Sequence, residues 1–481
     1  MELSAIEPQV IWKNFARLNA VPRPSKKEEK VIAFIKAFGE NLGLETTVDE
    51  TGNVIIKKPA TAGMEDRKTV VLQSHLDMVC QKNNDVNFDF ETEGIRMEID
   101  GDWVKAKGTT LGADNGLGVA TIMSVLESSD IPHPALEALF TIDEETGMTG
   151  ALGLKPGQLT GQILLNLDTE EDDEIDIGCA GGIDVTISKN YATEASAGQI
   201  IRFEVKGLQG GHSGMDINKG FGNANIILGR LLYKAMEKEN LQLISIDGGG
   251  LRNAIPREAS ATASVRNAAE VIEAITEGLK KEIEAEFAAV EPNLYLNIEN
   301  FTTSEKAVSE TDSRSIILTL KSLHNGVYRM SPDVKDLVES SNNVARVELK
   351  EGALKILNLS RSSVESSKYS VAEQLKSVAE LAGMHVEFSG SYPGWKPKPG
   401  SGIVQLMEKI YVEKFGERPH VVACHAGLEC GIIGAHYPEM EMVSFGPTIR
   451  GAHSPDEKAS ISSAQKFWVF TRDILANIPQ K

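Results

Sequence analysis

Five short stretches of the 481-residue chain set histidines and carboxylates at spacings that can hold metal ions. His75 and Asp77 are two apart in "SHLDMV", Asp114 lies among glycines in "LGADNG", and Glu144 and Glu145 are adjacent in "DEETGMTGA". Asp168 closes "LLNLD", and His453 sits in "GAHSPDE". Adjacent glutamates at a strand end repel each other unless a cation or a proton lies close by. Taken singly, each stretch is ordinary: an aspartate at a helix start is most often a cap. Together they form a mixed imidazole and carboxylate set, which suits divalent first-row metals, zinc first, with cobalt and manganese as alternatives. One ion cannot use the whole set. Two ions sharing a bridging carboxylate account for His75, Asp114, Glu145, Asp168 and His453, and leave Asp77 and Glu144 over. Asp77, two residues from His75, then orients that ring. Glu144, beside a ligand, takes the proton of a water whose pKa the metal lowers to about 7.

The elements around these residues place them alike. "TVVLQSHLD", "ALEALFTID" and "QILLNLD" read as short buried strands, while "GLGVATIMSVLESS" carries apolar residues at helical spacing. Strands alternating with helices predict an α/β domain with a mostly parallel sheet and helices on both faces. Ligands bind at the carboxyl ends of such strands, where His75, Asp77, Glu144, Glu145 and Asp168 all fall. Upstream, residues 8–43 read as two helices parted by "VPRPS", with Ser25 capping the second and Gly43 stopping it. "LETTVDETGNVIIKK" and "IRMEIDGDWVKA" read as hairpins, and "TEEDDEID" as a solvated acidic loop.

After about residue 185 the chain turns to alternating strands and Lys/Glu-rich helices such as "EVIEAITEGLKKEIEAEF", until "SYPGWKPKPGSG" marks a crossing. The expected organisation is a catalytic domain over residues 1–185 and 396–481, interrupted by a large α+β domain over 186–395. Within that insert "GQIIRFEVKG" and "GALKILNLSRSS" each open a strand-then-helix unit, which points to two similar halves.

Composition narrows the function further. A formal charge of -20 disfavours nucleic-acid binding, which depends on clustered Lys and Arg. No apolar stretch reaches the roughly 18 residues of a membrane span, and "MELSAIEPQVIWKNF" lacks a signal-peptide pattern. Four cysteines without C-x-x-C spacing fit thiols in a reducing cytoplasm. Neither H-E-x-x-H nor G-x-S-x-G occurs.

In order and context the five metal-site stretches resemble those of the M20 metallopeptidases, dinuclear zinc enzymes that cleave small peptides, and the resemblance covers almost the whole chain. It implies Asp114 as the ligand shared by two ions, His75 and Asp168 completing one, and Glu145 and His453 completing the other. It also implies Glu144 as general base, Asp77 as the orienting acid, and often a cis peptide after the shared aspartate. The long insert and "VVACHAGLECGIIGAHYPEMEMVSFGP" are similar to the aminoacyl-histidine dipeptidase branch of the family. That branch implies a cytoplasmic hydrolase of unblocked dipeptides, including those ending in histidine, with the insert as a lid and a homodimer as the assembly. It further implies His212 as the group that stabilises the developing oxyanion, Asn253 as a polar contact, and Arg361 and the Gly427 backbone as partners of the substrate carboxylate. Two other readings stay open: a tripeptidase or N-acyl amino acid hydrolase on the same site, and a non-catalytic peptide-binding protein on this scaffold.

Overall fold

The computed structural model describes residues 6–196 and 198–481, which divide into two compact units. Among these residues the first comprises 6–178, 397–423 and 428–481, and the second 179–196, 198–396 and 424–427. The chain enters the second unit a few residues ahead of the change in character near 185, because the strand Gly181–Asn190 already pairs with two strands of that unit. Among the described residues no helix is long and apolar enough to cross a membrane.

The first unit is built on an eight-stranded sheet. Its centre is parallel: Val70–His75 lies between Leu136–Thr141 and Ile163–Asn166, and Ile163–Asn166 pairs in turn with Glu441–Ser444. The first three strands are buried along their whole length, which is why they read as unbroken apolar runs. Because they run parallel, their carboxyl ends share one edge, and the residues that follow each strand meet there. The hairpin Glu45–Val48 with Val54–Lys58 extends the sheet antiparallel.

The helix Ala113–Glu127 packs on the Val70–His75 strand and on the helix Gln9–Asn19. Its close approach depends on Gly118, where a Cβ would lie 2.4 Å from Ser74 Oγ and 2.5 Å from the Leu167 carbonyl. Helix propensity alone would favour alanine there by about 1 kcal/mol. The clash is with a buried strand and a backbone carbonyl, so overpacking outweighs that gain. Gly118→Ala is expected to lose on the order of 2 kcal/mol of stability, read as a lower denaturant midpoint.

Two local expectations are corrected here. The helix Glu29–Asn41 starts after Glu28 without a side-chain cap, and Ser25 instead donates its hydroxyl to Asp77 Oδ2 at 2.8 Å. The "TEEDDEID" stretch is half-buried rather than solvated, and its Asp176 is buried in a strand, accepting from Thr169 Oγ1 at 2.9 Å. Burial pushes that Asp176 carboxyl up to about 7.

The second unit carries a nine-stranded antiparallel sheet. Its order resolves two β-α-β-β-α-β halves. One half contains Gln199–Lys206, Gln242–Gly249, Ala259–Val265 and Tyr295–Asn300, with helices after its first and third strands. The other contains Gly181–Asn190, Val338–Lys350, Ala353–Ser362 and His385–Tyr392, with the helices Glu310–Ser322 and Glu365–Leu381 in the corresponding places. In both halves the spatial order is second, third, first, fourth strand, and the two second strands pair antiparallel at the centre.

The strand pairing suggested by the sequence is therefore shifted. Gln199–Lys206 opens its half, but Ala353–Ser362 is the third strand of the other, whose opening strand is Gly181–Asn190. The first-named half is inserted between that opening strand and its helix. A short ladder of Thr193–Glu194 with Ala307–Val308 ties the two ends of the insertion together. The Lys/Glu-rich helix is also not continuous: a π-helical turn at Ile275–Leu279 separates Ala268–Ala274 from Lys280–Phe287.

Candidate active site

His75 is the last residue of the central strand and is 1% exposed. Its Nδ1 lies 3.2 Å from the Asp77 carbonyl and 3.3 Å from Asp77 Oδ1, while Nε2 lies 3.2 Å from Asp114 Oδ1 and 3.5 Å from Asp168 Oδ1. His453, in the loop between Ile449–Arg450 and Lys458–Ser460, sets Nε2 3.2 Å from Asp114 Oδ2 and 3.0 Å from Glu145 Oε2. Asp114 therefore lies between the two rings, with one oxygen toward each. It starts the helix Ala113–Glu127 but does not act as its cap, and the Asp114–Asn115 peptide is cis.

Asp77 organises the acidic pair from beneath. Its Oδ1 accepts the Glu144 backbone N–H at 3.0 Å and its Oδ2 the Glu145 N–H at 3.2 Å, so one carboxylate fixes both glutamate backbones. A neighbouring trio, Glu28, Asp77 and Asp143, also brings its oxygens within 4.8 Å. Its acids are used internally: Glu28 accepts the Asp143 N–H at 3.0 Å, and Asp143 accepts from Thr149 Oγ1 at 2.8 Å and from Thr146 Oγ1.

The donor set fits divalent metal. The ligating atoms of His75, Asp114 and Glu145 all lie within 4.8 Å of one another. Glu145 Oε1 and Asp168 Oδ1 are buried and have no hydrogen-bond partner among the described residues, a costly state for carboxylate oxygens unless a cation satisfies them. The electrostatics agree. Asp114 and Glu145 push the His453 ring up to about 11, and Asp168 and Asp114 hold His75 well above its ordinary value against the opposing effect of burial. Burial lifts Asp168 to about 6 and Glu144 well above the carboxylate range. Burial would also lift Asp114, but the His453 and His75 rings outweigh it and hold that carboxyl below its usual value. The same carboxylates favour positive charge at Nε2 of both rings, as they would favour a cation between them.

Two residues that sequence reasoning missed hold the Asp114 loop. Glu457 is 2% exposed and accepts four backbone N–H bonds, from Leu111 (2.7 Å), Gly112 (2.9 Å), Ala113 (2.7 Å) and Asp114 (3.2 Å). Arg23, 1% exposed, donates to the carbonyls of Leu76 and Asp77 at 3.1 Å and of Gly112 at 2.5 Å. Gly112 (φ 70°) is required between them, since a Cβ there would lie 2.4 Å from the Arg23 guanidinium. The available signals were the position of Glu457 four residues after His453 and an arginine inside the proline-rich break.

Within the second unit the structure brings His212 and Arg361 together. Arg361 is 4% exposed; its NH1 donates to the Tyr392 hydroxyl at 2.9 Å, and its NH2 lies 3.5 Å from His212 Nε2 and 3.4 Å from Ser213 Oγ. His212 Nδ1 accepts the N–H groups of Gly214 (3.2 Å) and Met215 (3.1 Å), so the ring proton sits on Nε2. Burial and the Arg361 charge both lower the His212 pKa and keep the ring neutral. The Nε2–H and the guanidinium are thus two donors facing each other, unable to bond to one another and both open to oxygen acceptors. Asn253 joins this turn through its backbone, its carbonyl accepting the Ser213 N–H at 2.8 Å, while its own side chain is exposed. Gly427 ends the segment 424–427, where Ala426 accepts the Ala180 N–H at 2.9 Å. His425, in the same segment, is buried 2.8 Å from Ser341 Oγ, and burial drops its pKa to about 3.

Residues 71–477 match the peptidase family M20/M25/M40, and the chain belongs to that family. It is 44% identical, over the full length of both chains, to a protein of Escherichia coli strain K12 named cytosol non-specific dipeptidase. The structure superposes with a TM-score of 0.94 on aminoacylhistidine dipeptidase from Vibrio alginolyticus, also 44% identical, covering 100% of this chain and 99% of that one. An aminopeptidase of Bacillus cereus, at 18% identity and a TM-score of 0.58, shares the fold over 98% of this chain.

Proposed function

We propose that this chain is a dinuclear metal-dependent dipeptidase that hydrolyses unblocked dipeptides, including those with C-terminal histidine. The observation that carries the reading is the position of Asp114, with one carboxylate oxygen toward His75 and the other toward His453. His75 and Asp168 would hold one ion, Glu145 and His453 the other, and Asp114 both, with zinc as the metal of choice for this donor set. When bound, such ions polarise a carbonyl and acidify water.

The chain's own groups supply the rest. Glu144, whose backbone is fixed on Asp77 while its side chain stays out of the ligand set, accepts the proton of the attacking water and returns it to the leaving amine. Asp77 holds the His75 ring through Nδ1 and keeps Nε2 facing Asp114. Arg361 receives the free carboxylate of the dipeptide, and His212 Nε2–H donates to the oxygen of the scissile carbonyl. The inclusion of histidine dipeptides draws on the Vibrio relative's name, and the breadth beyond them on the Escherichia one.

Hydrolysis of β-Ala-His, Gly-His, Gly-Leu, a tripeptide and an N-acetyl amino acid, with and without chelator, tests the reading. Chelation is expected to abolish cleavage of the dipeptides, and zinc, cobalt or manganese to restore it. Cleavage of the tripeptide or the acetyl compound alone would overturn the substrate. Failure to cleave any of the five with any metal would leave a peptide-binding protein.

A further inference from the structure

Arg361 owes its orientation to a row of three residues that crosses three strands. In the ladder Arg361 stands opposite Gly182, and Gly182 in turn opposite Tyr392. Cross-strand partners point to the same face of a sheet, so the phenol ring of Tyr392 lies over the side-chain position that Gly182 leaves empty. A Cβ on Gly182 would lie 2.7 Å from Cε1, Cζ and the hydroxyl oxygen of Tyr392. The gap lets the hydroxyl reach across the middle strand and accept from Arg361 NH1 at 2.9 Å.

The fourth strand is shaped for this contact. Its register shifts between Ser389 and Tyr392, an irregularity of the kind that re-aims a side chain. The carbonyl of Tyr392 is then held by Lys368 Nζ at 2.7 Å. Lys368 is fully buried, and its ammonium also meets Ser391 Oγ at 3.1 Å and Glu365 at 2.9 Å. A buried lysine is costly to keep, and here its ammonium holds the backbone of the residue that carries the phenol. With NH1 on the Tyr392 hydroxyl and Nε 3.4 Å from Ser213 Oγ, NH2, also 3.4 Å from the Ser213 hydroxyl, is the group that faces the His212 Nε2–H.

We propose that Tyr392 is a positioning residue for recognition of the substrate carboxylate: its hydroxyl, admitted by Gly182, fixes the Arg361 fork so that NH2 is presented to that carboxylate beside His212. The inference rests on Arg361 being the carboxylate partner. Removing the hydroxyl leaves the ring to fill its space and lets the arginine rotate, so the loss falls on binding of the charged terminus and not on the chemical step.

The test compares Gly-Leu with Gly-leucinamide, which lacks the carboxylate, using KM or, where the amide is not turned over, its competitive inhibition constant. The metal-loaded enzyme and its Tyr392→Phe, Gly182→Ala and Arg361→Met variants are measured side by side. Tyr392→Phe is expected to raise KM for Gly-Leu about tenfold, the value of a hydrogen bond to a charged group, with kcat and the amide constant unchanged. Gly182→Ala is expected to move the same constants in the same direction, and adding it to Tyr392→Phe to cost less than the sum. If Arg361→Met abolishes the preference for the acid while Tyr392→Phe keeps the parent KM, the positioning role is wrong and the carboxylate reading stands. If Arg361→Met keeps the preference, both fall.

Discussion

Glu144→Gln is expected to retain both metal ions and the parent KM while losing about 10³-fold in kcat, the middle of the range for a positioned general base. The geometry separates Glu144 from its neighbour in spite of their adjacency. Asp77 takes the backbone N–H of each glutamate on a different oxygen, which holds the two peptide units in a fixed turn. That turn delivers the Glu145 carboxylate to His453 at 3.0 Å, while among the described residues Glu144 forms no ion pair with either histidine. Glutamine keeps the shape and the capacity to accept one hydrogen bond but cannot take a proton. Metal content by elemental analysis and single-substrate kinetics on Gly-Leu separate the outcomes. Loss of an ion together with activity would make Glu144 a ligand, and undiminished turnover would place the base elsewhere.

The parts of this site that were legible in the sequence share a property: each is encoded within a few residues of chain. His75 and Asp77 are two apart, Glu144 and Glu145 adjacent, and each follows a strand whose apolar run announces it. Parallel pairing brings those strand ends to one edge, so the local signals add up to a site. What escaped depends on partners distant in the chain. The Glu457 carboxylate reaches an N–H 346 residues away and Arg23 a carbonyl 89 residues away, and neither side chain looks unusual in its own stretch. Tyr392 and Gly182 become meaningful only once the ladder sets them opposite each other. The duplicated halves were visible as a hint but mispaired, since nesting one inside the other removes the fixed period by which a repeat is recognised. Ser25 had the type and place of a cap, and a better acceptor in Asp77 drew its hydroxyl away.

The Glu457 carboxylate also makes a second large effect predictable. Its two oxygens satisfy four consecutive N–H groups of the loop that carries Asp114, from a position four residues beyond His453. One side chain therefore ties the loop of Asp114 to the loop of His453, the residue proposed to share a metal ion with it. Glu457→Ala is expected to lose on the order of 4 kcal/mol of stability, since it strands buried donors and takes from the buried Arg23 guanidinium the strongest of the acids acting on it. Against a typical total of about 5–15 kcal/mol that is a large fraction. Glutamine should recover little of it: its single oxygen can serve two of the four donors, while its NH2 group points at the other two. For the protein that remains folded, zinc affinity measured by calorimetric titration is expected to fall on the order of 10- to 100-fold in Glu457→Gln, as for other groups that orient metal ligands. The side chain is not itself a ligand, so saturating zinc should restore most of kcat. A variant that binds zinc with the parent affinity would show that the His453 and Asp114 loops hold their geometry without this clamp; a kcat that stays low at saturating zinc would place Glu457 in the reaction itself.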